Sequence, residues 1–101
     1  MKRLANNAEL HAYLSALSQT LGERGSEKLA EAVFHASQLA AGNMITEFLG
    51  ESRIALRRVI RGARGVLTDS EREDAKDVLF QLEQWFETRH PRRWFFGRGS
   101  F

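Results

Sequence analysis

The stretch EKLAEAVFHASQLAAGNMITEFL, residues 27–49, decides the fold of this chain. At about 100° per residue, Leu29, Val33, Ala36 and Ala40 share one side of a helix. Phe34, Ala41, Ile45 and Phe48 fall roughly a quarter to a half turn away. A helix that is apolar over most of its circumference needs cover on most sides. The stretch therefore reads as the middle helix of a bundle. It carries more apolar circumference than the remaining short segments of one copy can wrap, which predicts a homodimer.

Towards the N-terminus, Ser26 stands where a helix cap belongs, and Glu27 places a negative charge in the first turn, where it suits the helix dipole. A turn at residues 23–25 separates this helix from an earlier one over residues 8–21. There Leu10, Leu14, Leu17 and Leu21 recur at steps of four, three and four, an a/d stripe that must face a core or a second chain. Asn6 or Asn7 can cap its start, with Glu9 in the reciprocal position after Asn6. Gly22 is the expected stop. Residues 1–7 read as a loose leader.

Towards the C-terminus, Gly42-Asn43 is a weak point inside the central helix, but Gly50 is the better stop. Ser52 then caps a helix over residues 53–64. Ala55, Leu56, Val59, Ile60 and Ala63 take one face of it, and Arg53, Arg57, Arg61 and Arg64 the other. If Gly50 does not break the chain, residues 27–64 form one rod of about 55 Å, which would force an intertwined dimer. Gly65 ends this segment. Thr68-Asp69-Ser70-Glu71 is a full capping box. It opens a helix over 69–89 whose buried face is Ala75, Val78, Leu79, Leu82, Trp85 and Phe86, with Phe80 pointing away. Pro91 stops it. No strand pattern and no internal repeat occur. The predicted class is all-α: a small bundle domain over residues 8–90, four helical segments, followed by a tail over 91–101.

The net charge of +2 on 101 residues conceals blocks. Residues 1–52 sum to −2, residues 53–64 to +5, residues 65–88 to −5 and residues 89–101 to +4. With 43% hydrophobic residues and no cysteine, the chain is suited to an ordinary globular core, without disulfides or thiolate metal sites. No apolar run is long enough for a signal peptide or a membrane span. A soluble cytoplasmic protein that does not enter the membrane is expected.

No arrangement in the sequence calls for a cofactor. Glu27, Glu31 and His35 share a helix face at steps of four and could chelate a metal. A di-iron bundle, however, needs paired Glu-x-x-His helices, and no second pair exists. No serine lies in a nucleophile-elbow setting, and the three histidines are far apart in sequence. Gly62-Ala63-Arg64-Gly65 has the G-x-x-G form of the KH clamp loop, but that fold needs a β-sheet. Pairing segments 53–64 and 69–88 as a helix–turn–helix would send a helix of net charge −5 into the major groove.

Two features remain as candidate binding surfaces. One is the stripe Arg53, Arg57, Arg61, Arg64, whose guanidinium groups suit carboxylates or phosphates unless the acidic last helix neutralises them. The other is the tail, where Arg92, Arg93, Trp94, Phe95 and Phe96 combine the residue types of interface anchors. Leu10, Leu14, Leu17, Leu21, Phe34, Ile45 and Phe48 are the expected core or dimer positions. The sequence thus predicts a non-catalytic interaction module, a regulator, adaptor or inhibitor with a protein partner. The alternative is a nucleic-acid-binding accessory protein using the stripe and the tail.

Overall fold

A computed structural model describes residues 3–42 and 45–89. Among these residues the chain is an all-α bundle of four helices with no strand: α1 Asn7–Glu23, α2 Glu27–Gln38, α3 Ile45–Gly62 and α4 Asp69–Arg89. A 3₁₀ turn, Leu39–Ala41, follows α2 directly. Neighbouring helices in the sequence pack antiparallel. Leu29 at the start of α2 lies against Gly62 at the end of α3. Across the remaining seam, Arg24 after α1 bonds to Glu71 at the start of α4, and Leu4 N–H, before α1, donates to Gln81 at 3.0 Å, just past the middle of α4.

The helix starts follow the capping chemistry of the sequence. Asn6 Oδ1 accepts the Glu9 N–H at 2.9 Å, and Glu9 Oε1 accepts the Ala5 N–H at 2.7 Å. At α4, Thr68 Oγ1 accepts the Glu71 N–H at 3.1 Å while Glu71 Oε1 accepts the Thr68 N–H at 2.8 Å, a closed reciprocal box. Ser26 precedes α2 but makes no side-chain cap. Helix α1 also runs past Gly22. The reversal falls at Gly25, whose φ of +90° lies in the left-handed region that a side chain disfavours. Gly65, at φ +80°, turns the α3–α4 connection in the same way.

The central stretch departs from expectation. Residues 27–49 are not one helix, and the break lies after Ala41, not at Gly50. Gly42 is extended, with φ −86° and ψ −178°, and α3 begins three residues later at Ile45. Gly50 is an interior residue of α3, so no helix starts at residue 53. Ser52 is fully buried rather than a cap, and its hydroxyl donates to the Phe48 carbonyl at 2.7 Å. The 27–64 rod is likewise ruled out. The longest dimension is 42 Å, shorter than the roughly 55 Å such a rod would require.

One apolar core results. Leu10, Leu14, Leu17 and Leu21 of α1 meet Val33 and Ala36 of α2, Phe48, Leu49, Leu56 and Val59 of α3, and Ala75, Val78, Leu82 and Phe86 of α4. Leu4, inside the stretch expected to be a leader, packs against its edge. Phe34 and Ile45, expected in the core or a dimer interface, stand 54% and 42% exposed.

The position of Gly50 gives a direct test. A Cβ added there would meet only Phe86 Cζ, at an ordinary 3.7 Å. Gly50→Ala should therefore stabilise the fold by about 0.5–1 kcal/mol, the helix-interior difference between the two residues. A lowered midpoint in denaturant would place Gly50 outside a helix.

Candidate functional site

The arginine stripe divides once α4 is in place. The 3.6-residue period sets Arg53 and Arg57 on the side of α3 that meets α4. The Arg53 guanidinium carbon lies 4.7 Å from the centre of the Phe86 ring, a cation–π geometry. Arg57 pairs with Glu83 through Nε, at 3.2 Å, and Nη2, both on Oε2. Helix α4 thus engages the first half of the stripe, Arg57 through a carboxylate and Arg53 through an aromatic ring. Arg61 and Arg64 are exposed, and no acidic side chain among the described residues lies within ion-pair distance of either. Arg92, Arg93, Trp94, Phe95 and Phe96, the tail residues expected to bind a partner, lie outside the described residues.

A second cluster, not anticipated from the sequence, joins the turn after α1 to the start of α4. Arg24 follows α1 and reaches over the α3–α4 turn. Its Nη1 donates to Glu71 Oε1 at 2.6 Å and to the Val66 carbonyl at 2.9 Å, and its Nη2 donates to Glu71 Oε2 at 3.0 Å. Glu71 is therefore cap and clamp together. The Arg24 hydrogen bonds, with the Thr68 N–H behind them, hold its carboxyl down at about 2. Beside it, between α1 and α4, burial pushes the Tyr13 hydroxyl well above its ordinary pKa, and the Asp74 and Glu71 carboxylates add to the shift. The phenol therefore stays neutral. Pairing Arg24 with Glu71 needs the fold, since 47 residues separate them.

The five remaining core candidates, Leu10, Leu14, Leu17, Leu21 and Phe48, are all buried within one copy. Glu31 and His35, two of the possible metal ligands, line an open groove of about 430 Å³ between α2 and α3, together with Glu51, Ile54, Lys28 and Arg58. Among the described residues, no three His, Asp or Glu side chains converge to hold a metal ion. No helix of the described residues is long and apolar enough to cross a membrane. Large apolar side chains remain on outer faces: Phe34 on α2, Ile45 and Ile54 on α3, and Phe80 on α4. Comparison with protein families, curated proteins and solved structures finds no match.

The Arg24–Glu71 clamp has a pH signature. The folded-state pKa of Glu71 is depressed below its ordinary 4.5, so its stabilisation is complete above about 4.5 and is lost as pH falls towards about 2. Glu71→Gln should melt below wild type at pH 7, and the two melting curves should converge as pH approaches about 2. A gap that stays constant across that range would remove the ionised clamp from the account.

Proposed function

We propose that this chain is a non-catalytic helical interaction protein, a regulator, adaptor or inhibitor that presents helix faces to a protein partner and associates with a second copy of itself. The observation that carries this reading is the set of large apolar side chains left on outer faces of a bundle whose core is already filled. Phe34 and Phe80 are 54% and 60% exposed, more than Ile45 and Ile54. Each aromatic side chain offers a large desolvation gain to a protein that covers it. Arg61 and Arg64 add exposed guanidinium groups, and Arg92, Arg93, Trp94, Phe95 and Phe96 supply further anchor types. The stripe speaks less strongly for nucleic acid, because Arg53 and Arg57 are engaged by Phe86 and Glu83 within the fold.

The test is retention of proteins from the native host on the immobilised full chain, with Phe34→Ala/Phe80→Ala as the paired control. Both positions are exposed, so the double variant should melt within about 1 kcal/mol of wild type. A partner should be retained by wild type and reduced about tenfold or more on the variant, the size expected for losing hot-spot anchors. Identical retention on both would sink the reading. DNA or RNA binding that weakens by about one counterion per phosphate contact as salt rises would assign the chain to the other class.

A further inference from the structure

The outer face of α3 has an order that the core does not explain and that shares only Arg61 with the arginine stripe. Glu47, Glu51, Ile54, Arg58 and Arg61 recur at steps of four, three, four and three, and all five are exposed. They lie within an arc of about 80° at 100° per residue, turned away from the buried Leu56 and Val59 and bordered on one side by Ala55 and Phe48. Their charges run negative, negative, neutral, positive, positive. Glu47 stands seven residues before Ile54, and Arg61 seven residues after it.

We propose that this face is the contact surface for a second copy of the chain, with two α3 helices antiparallel across a two-fold axis at Ile54. This rests on the self-association in the reading above and names the surface that carries it. An isologous contact requires a surface complementary to itself. Rotation about Ile54 sets Glu47 opposite the second copy's Arg61, and Glu51 opposite its Arg58. The two Ile54 side chains meet at the axis. A parallel arrangement would set Glu on Glu and Arg on Arg, so the charge order selects the antiparallel one.

Three observations support this occupant. Within one copy, none of the four charged residues has an oppositely charged side chain in ion-pair range among the described residues. Instead, Glu47 and Glu51 are like charges one turn apart, as are Arg58 and Arg61, an arrangement that disfavours the isolated helix. A second copy turns both repulsions into cross-pairs. The step pattern is also that of a helix–helix seam, which allows close packing at a shallow crossing angle. Finally, Ile54 is 47% exposed at the centre of the stripe, and the groove beside it is lined by Ala32 and Ala55 together with Lys28, Glu31 and His35 of α2. The apolar contact therefore falls where the two-fold axis requires it. A surface with one apolar centre and four exposed charges gives a weak, salt-sensitive dimer, not an obligate one.

Sedimentation velocity on the full chain at high micromolar concentration and low salt tests this with two charge variants. Arg58→Glu/Arg61→Glu makes the stripe wholly acidic, and Glu47→Arg/Glu51→Arg makes it wholly basic. Wild type should dimerise, and each variant alone should be monomeric. An equimolar mixture of the two should dimerise again, because every cross-pair is then opposite in sign. The four-fold exchange in one chain should self-associate as wild type does. Helical circular dichroism and melting confirm that each variant folds. Variants that dimerise like wild type, or a mixture that stays monomeric, would overturn this surface while leaving self-association elsewhere. A monomeric wild type would overturn self-association itself, and partner binding through Phe34 and Phe80 would still be tested by its own experiment.

Discussion

The length of α1 limits everything else. Its 17 residues span about 25 Å, and its four leucines can cover only that much of a facing helix. An unbroken helix from Glu27 to Gly62 would run about twice as far. Its second half would then leave Phe48, Leu56 and Val59 in water, each of which is fully buried. Breaking the chain after Ala41 folds that half back, so the same leucines serve both α2 and α3. The break costs a few helical hydrogen bonds. Burying three large apolar side chains returns about 1.5–3 kcal/mol each, so the folded-back arrangement wins within a single copy.

The return of α3 also decides the electrostatics. It brings the basic segment beside the acidic last helix, so that Arg57 meets Glu83 and Arg53 covers the Phe86 ring. The Arg57–Glu83 pair lies at the surface and adds little stability by itself, but the two contacts together use up half of the stripe. What stays available is set by rotation about α3: Arg61 and Arg64 beyond the α4 contact, and the ordered charges on the outer face. Binding surfaces in this bundle are thus the remainder left after the core and the α3–α4 pairing have taken their share.

Much of the fold was legible in the sequence because local chemistry and burial agreed. The leucine seam of α1, the caps at Asn6 and Thr68, and the buried face of α4 each rest on neighbours a few residues away. The break in the central stretch was not legible, because Gly42 and Gly50 have the same intrinsic helix penalty of about 1 kcal/mol. Tertiary context separates them. Gly50 is flanked by the buried Phe48, Leu49 and Ser52, whereas Ala41 and Gly42 are exposed. Ser52 reads as a cap from its place after Gly-Glu, yet its hydroxyl finds the Phe48 carbonyl and allows it into the core. Of the candidate site, the arginine period was visible, but its partners were not. Arg57–Glu83 and Arg24–Glu71 depend on a helix register that composition cannot supply. Phe34 reads as core by type alone, but its side of α2 is left open.

One copy of the chain closes its own core by reversing between α2 and α3. The most direct measurement is the distance between spin labels at the exposed positions Glu27 and Arg64, recorded with labelled chain diluted into an excess of unlabelled chain. The folded-back hairpin brings these positions to the same end of the bundle, as the contact between Leu29 and Gly62 requires. The distance should be well under half of rod length and should survive dilution. A separation near the roughly 55 Å of a continuous helix, or a short distance that vanishes on dilution, would contradict the reversal.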